Sequence, residues 1–138
     1  MSKKYKGRCL CKGVQFSVIG DPLMVCNCFC TDCQRVSGSA GASVAIFPAV
    51  GFSLEKGEAV SHMSKAASGK SLTRNFCPTC GSRLFTSNVE AFPGTVMVAL
   101  GALVEGHGLA PTINIFGKDR QAWSFGTDEL PTMEAMPG

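Results

Sequence analysis

Alternation of apolar and polar side chains marks most of the chain as short strands. Val14, Phe16 and Val18 alternate with Gln15 and Ser17, so Gly7 to Ile19 reads as strand, tight turn and strand, with Cys9, Cys11 and Gly13 in the turn. Asp21-Pro22 interrupts the pattern, and Met24 to Cys28 is another extended piece, with Cys26 and Cys28 on one face. Ala42 to Phe47, Phe52 to Leu54, Val60 to Met63 and Leu72 to Phe76 repeat it, separated by Pro48, Gly51, Gly57 and Gly69. Arg83 to Ser87, Val96 to Gly101 and Ile113 to Phe116 complete the set, and Trp123 and Phe125, flanking Ser124, read as core-packing strand residues. Strands at this spacing predict a mainly β fold built from antiparallel sheets.

One segment departs from the two-residue period. Thr31-Asp32-Cys33-Gln34 has the form of a capping box, with the Thr31 hydroxyl turned to the Gln34 amide, and it predicts a short helix that Gly38 ends. Cys33 then lies in the first helical turn, where the positive end of the helix dipole favours its thiolate.

Composition narrows the class. A chain of 138 residues, 45% hydrophobic and 17% charged, with no low-complexity run, is expected to form one ordered domain over residues 1–138, as a monomer or small homo-oligomer. The net charge is +3, but Lys and Arg cluster only at Lys3, Lys4, Lys6 and Arg8, and no basic stripe carries interleaved aromatics. Nucleic acid is therefore not an expected partner. No window approaches the ~20 apolar residues of a membrane span, and no signal-type apolar stretch follows Met1 to Tyr5, so the expected location is the cytoplasm.

In a reducing cytoplasm eight cysteines at Cys-x-Cys and Cys-x-x-Cys spacings point to metal, with zinc the default ion. Cys9-Leu10-Cys11 and Cys77-Pro78-Thr79-Cys80 together make four thiol ligands, a filled tetrahedron with no vacancy for substrate, and hence a structural zinc. Cys28-Phe29-Cys30-Thr31-Asp32-Cys33 brings three thiols to one ion and leaves the fourth position for water or substrate, the arrangement of a catalytic zinc. Three thiolates give the ion and its ligands a net charge of about −1, which suits an incoming thiol better than hydroxide generation. Cys26 shares a strand face with Cys28; it either closes this second tetrahedron or stays a free buried thiol.

These stretches carry a resemblance. Gly7 to Val14, Cys28 to Gly38, Arg74 to Ser82 and the tail from Pro111 through Trp123 to Pro131 resemble the glutathione-dependent formaldehyde-activating enzyme family, over nearly the whole chain. The resemblance implies a beta-tent fold of small antiparallel sheets around zinc with one short helix. It also implies a structural zinc on Cys9, Cys11, Cys77 and Cys80 and a catalytic zinc on Cys28, Cys30 and Cys33. The chain departs from the family where Phe29 and Asn114 stand at positions usually held by His.

The activity so implied is that of a carbon-sulfur lyase acting on a glutathione-aldehyde adduct of the S-(hydroxymethyl)glutathione type, with glutathione or a similar small thiol as partner. Arg35, Ser37 and Gly38, just beyond the central cysteines, are the candidate substrate-binding residues, able to meet a carboxylate at the mouth of the site. His62 and His107 sit at no ligand spacing from a cysteine and read as surface or strand filler. Two other functions share this scaffold: a zinc-stabilised binding module without chemistry, and a methionine sulfoxide reductase, for which Cys26 is the one cysteine outside the metal sets.

Overall fold

The computed structural model describes residues 3–124 and 129–136. Among them lie ten strands, Lys4–Arg8 (β1), Gln15–Ile19 (β2), Met24–Cys28 (β3), Ala42–Pro48 (β4), Phe52–Lys56 (β5), Val60–Lys65 (β6), Ser71–Phe76 (β7), Arg83–Ser87 (β8), Thr95–Ala99 (β9) and Ile113–Ile115 (β10), and one α-helix, Thr31–Ser37 (α1). The fold is mainly β, as the alternation requires. Among the described residues no helix is long and apolar enough to cross a membrane.

The strands form two sheets, one of three strands in the order β1-β2-β5 and one of seven in the order β10-β3-β4-β9-β8-β7-β6. In the small sheet β1 and β2 pair as the expected hairpin, and the Phe16 ring lies directly over Gly7, leaving no room for a Cβ there. The alternation of β2 is broken by Ser17, which is buried rather than outward and donates its hydroxyl to Glu55 Oε1 at 2.6 Å. Burial of a hydroxyl is tolerable because that charged acceptor replaces the water it loses.

The large sheet corrects the expectation of purely antiparallel pairing. β10 runs parallel to β3, with Ile113 opposite Cys26 and Ile115 opposite Cys28. A parallel pair needs a long connection, and the chain makes it by passing through the five other pairings of this sheet before returning to the β3 edge. A second correction concerns Trp123, which is 68% exposed and lies in a turn rather than packed in a strand; residue 125 is outside the described residues.

The main core lies between the sheets. Val25, Ala45, Phe47, Val96, Val98 and Phe85 of the large sheet meet Tyr5, Phe16 and Val18 of the small one. Aromatic contacts join the layers: Phe85 is 4.4 Å from Phe52 and 6.0 Å from Phe16, ring centre to ring centre, and Tyr5 is 5.4 Å from Phe47. Such tilted pairs add about 1 kcal/mol each beyond the area they bury. The opposite face of the large sheet carries a separate cluster of Cys26, Cys28, Ala42, Val44 and Ile115, onto which α1 lays Cys33.

Candidate metal centres

Two groups of thiols are assembled, and they are the two that the spacing predicts. Cys9, Cys11, Cys77 and Cys80 lie with all four sulfurs within 4.8 Å of one another, and so do Cys28, Cys30 and Cys33.

The tetrad joins the β1–β2 turn to the turn between β7 and β8. Its sulfurs stand 3.5 Å apart at Cys9 and Cys11 and 3.7 Å apart at Cys11 and Cys77, close to the edge of about 3.8 Å that a tetrahedron with 2.3 Å metal–sulfur bonds requires. Backbone amides turn toward the sulfurs as they do around a thiolate: Val14 N lies 3.2 Å from Cys9 Sγ, and Thr79 N and Cys80 N lie 3.4 and 3.5 Å from Cys77 Sγ. Gly81 permits this curl with its φ of 76°. The Ser82 hydroxyl, with the backbone of Cys11 and Ser82, draws the Cys80 thiol down to about 5. Burial opposes ionisation of Cys9, yet the Val14 amide and the Cys11 and Cys77 thiols outweigh it and hold Cys9 below the usual thiol range. At Cys11 the Gly13 amide favours the thiolate, but Cys9, burial, Cys77 and Cys80 together push it up to about 11. The donor set fits a soft divalent ion such as zinc.

The triad is built at the end of β3 and the start of α1. Here the capping-box reading is corrected: the N-cap is Cys30, whose Sγ accepts the Cys33 amide at 3.3 Å, and Thr31 is the first helical residue. A thiol that must face its neighbours for metal binding is already at the helix entrance, so it takes the capping role that a hydroxyl usually fills. Gln34 does not reach back to Thr31; its side-chain amide donates to Phe29 O at 2.8 Å and Asp119 O at 3.0 Å, tying α1 to the turn at Gly117–Asp119. Gly38 ends the helix as expected, with φ 67° and its amide on Gln34 O.

Without metal, three crowded thiols share one favoured ionisation. Contact with Cys28 and Cys30, aided by the charges of Arg83 and Arg74 against the effect of burial, brings Cys33 down to about 3. Its two partners move the other way. Cys30, Cys33 and burial push Cys28 far up, and Cys30 is raised because Cys33 and burial outweigh its contact with Cys28. Among the described residues the group holds three ligands, so a tetrahedral ion there keeps one position open.

Cys26, fully buried on the same face, is not a member of either group, and burial followed by the nearby Cys33 pushes it up to about 12. It packs as a small apolar residue. Of the remaining candidates, Arg35 is exposed and donates to Thr31 O at 3.5 Å. The Ser37 hydroxyl donates to Gly41 O at 2.9 Å and accepts the Ser39 amide, so Ser37 and Gly38 shape the chain as it leaves the helix.

Phe29 and Asn114, the two positions where the resemblance implies histidine, are both buried. Phe29 is fully buried beneath the Arg120 guanidinium, 5.2 Å from the ring centre. Asn114 is also fully buried, accepts from Asn27 Nδ2 at 3.1 Å and donates to Thr132 Oγ1 at 3.2 Å. His62 is exposed on β6, and His107 Nδ1 accepts the Leu109 amide. Strand spacing alone did not single out Arg74 or Thr86; only their place in the pairing register puts them on the face that bears Cys26 and Val44. A cavity of about 420 Å³ lies beside the tetrad, lined by Arg8, Cys9, Ser82, Arg83, Ala99 and Glu105 among others.

A search of curated proteins gives no match. The structure is similar to a crystal structure of a Rhodobacter sphaeroides protein, with a TM-score of 0.57 and 22% identity over 77% of this chain and 91% of that one; at this identity the likeness speaks for the fold alone. The glutathione-dependent formaldehyde-activating enzyme family model matches residues 4–119, a span that holds both thiol groups in full. The chain belongs to that family.

Proposed function

We propose that this protein is a zinc-dependent carbon-sulfur lyase that forms or cleaves a glutathione-aldehyde adduct of the S-(hydroxymethyl)glutathione type. The observation that carries the reading is the thiol group with three members beside another with four. Cys9, Cys11, Cys77 and Cys80 hold a structural zinc, and Cys28, Cys30 and Cys33 hold the catalytic one. A zinc ion on three thiolates lowers the pKa of an incoming thiol and leaves that sulfur nucleophilic toward a small carbonyl carbon.

The chain's own residues prepare this site in three ways. The Cys33 amide and the start of α1 set Cys30 and Cys33 one helical turn apart, so the sulfurs converge before an ion arrives. The buried Ile115 packs in the cluster that holds Cys28 and Cys33, which keeps water from that side of the sulfurs. Arg35, Ser37 and Gly38 follow the triad at the far end of α1, and the exposed Arg35 is the group that would meet one carboxylate of glutathione. The whole of residues 1–138 acts as one domain, and its eight free thiols suit a reducing cytoplasm.

The reaction is tested by exchange NMR of glutathione with formaldehyde, with and without zinc-loaded protein. A faster exchange between free and hydroxymethylated glutathione at neutral pH is expected. No acceleration removes the formaldehyde reaction and leaves the fold as a zinc-bound scaffold.

A further inference from the structure

The two thiol groups differ in what covers their sulfurs. In the triad Cys28 and Cys33 are buried and Cys30 is half-buried. In the tetrad Cys9 and Cys77 are buried and Cys80 is half-buried, but Cys11 is exposed, alone among the eight cysteines, all of which lie in the described residues. The reason is local. Gly13 stands beside the Cys11 sulfur and brings no side chain over it, since a Cβ there would lie 3.3 Å from Sγ. Leu10, between the two cysteines of the turn, is itself 79% exposed.

Oxidants select sulfurs that are both thiolate and accessible. Zinc binds cysteine as thiolate, so every ligand sulfur meets the first condition once the ions are in place, and access decides among them. Charge acts in the same direction: four thiolates on a divalent ion carry about −2, against about −1 for three, which leaves the tetrad's sulfurs richer in electrons. The tetrad also supplies a disulfide partner. Cys9 Sγ is 3.5 Å from Cys11 Sγ, and Cys77 Sγ is 3.7 Å from it on the other turn. Backbone bonds alone hold Cys9 and Cys11 in one turn, with Lys12 N donating to Cys9 O at 3.2 Å and Cys9 N to Val14 O at 3.1 Å, so the two stay neighbours when an ion leaves.

We infer that Cys11 is an oxidation site for hydroperoxides and that its oxidation releases the tetrad's ion. The Cys11 thiolate attacks one peroxide oxygen, the O–O bond breaks, and the sulfur becomes a sulfenic acid while the other oxygen departs as alkoxide or hydroxide and takes a proton from solvent. The Cys9 thiolate then attacks the sulfenic sulfur, forming the Cys9–Cys11 bond and expelling hydroxide, which is protonated to water. Two thiolates have given two electrons to the peroxide. Cys77 and Cys80 remain as two ligands, too few for a zinc tetrahedron, and the turn between β1 and β2 is no longer stapled to the turn between β7 and β8. This oxidation needs only the tetrad's ion and stands apart from the lyase reaction.

The test is titration of the zinc-loaded protein with hydrogen peroxide, read by zinc release to a chromogenic chelator, by melting temperature, and by alkylation and peptide mapping of the cysteines. Trypsin cuts after Arg8 and Lys12 and frees a peptide whose only cysteines are Cys9 and Cys11, so a bond between them reads as an internal loss of mass. About one equivalent of peroxide should release one zinc per chain, join Cys9 to Cys11, leave Cys28, Cys30 and Cys33 reduced, and lower the melting temperature severely, and dithiothreitol with zinc should reverse all four changes. Cys11→His keeps a zinc ligand without an oxidisable sulfur, and its zinc release should be about tenfold slower. The wild-type map decides even where that variant fails to fold. Oxidation of the triad before the tetrad overturns the inference, as does zinc release with Cys11 still reduced. A bond from Cys11 to Cys77 overturns it too, because the two turns would then stay joined.

Discussion

The tetrad and the triad are made of the same chemical group, and they differ in how much chain each one closes. The tetrad sulfurs of Cys11 and Cys77 are 66 residues apart in sequence and join two turns from opposite parts of the fold. The triad is local, formed where one strand runs into one helix, and its scaffold is already held by β3, β4 and β10. The fourth ligand separates them as well. A filled tetrahedron spends all its bonding on the fold, whereas a three-ligand site keeps bonding capacity for a visitor. On the proposed reading, distance in sequence assigns the tetrad's ion to stability and leaves the triad's for chemistry.

Removing one thiolate from each group should break the comparison open. Cys80→Ser takes a ligand from the site that staples the two turns, and structural zinc can contribute on the order of 10 kcal/mol to folding in small domains, comparable with a whole domain's stability. It is expected to lower the melting temperature severely or abolish soluble expression. Cys30→Ser closes little chain and should stay folded, lose one zinc and lose thiol binding. Melting temperature, zinc content by native mass spectrometry and glutathione affinity read all three. Unfolding of Cys30→Ser as complete as that of Cys80→Ser would make the triad structural and end the enzyme reading.

Acid should separate the two ions more gently. Protons compete with metal at every thiol whose pKa lies above the working pH, and each such thiol must release a proton to bind. In the triad two of three thiols, Cys28 and Cys30, are raised and only Cys33 is lowered, to about 3. In the tetrad Cys9 and Cys80 are lowered and Cys11 is raised to about 11. Two of the triad's three ligands thus meet proton competition at neutral pH, and with one ligand fewer to hold its ion the triad should lose affinity first. Zinc count followed from pH 8 downward (about 5 being the lower end of interest) should pass from two to one before the fold is lost. Simultaneous release, or a remaining ion that Cys80→Ser does not affect, would reverse the assignment.

The smallest effect is expected at Cys26. Cys26→Ala removes a buried sulfur that packs against Val44 and Ile115, which should cost about 1 kcal/mol and a few degrees of melting temperature. Zinc content should stay at two per chain. A fall to one would make Cys26 the fourth ligand of the central ion and close the position on which the proposed chemistry depends.

The ligand groups were legible in the sequence because a Cys-x-Cys or Cys-x-x-Cys spacing puts sulfurs within reach of one ion whatever the rest of the chain does. The strands from Gly7 to Phe116 were legible for a similar reason, since a two-residue period in side-chain polarity is a local property of the backbone, although the first strand begins at Lys4. Where a local preference met a competing long-range contact, the contact decided. Ser17 was pulled inward by Glu55 and Gln34 turned to Asp119. Cys30 displaced Thr31 as the helix cap through a local contact, three residues on, with Cys33. The parallel pairing of β10 on β3, the meeting of Cys11 with Cys77, and the placing of Arg74 and Thr86 on the face of the triad depend on which strands become neighbours. Neighbours are chosen by the burial of both sheets' apolar faces at once, a global free energy that no window of sequence contains. Residue spacing determined that this protein has two thiol centres; the pairing of its strands decided what stands beside them.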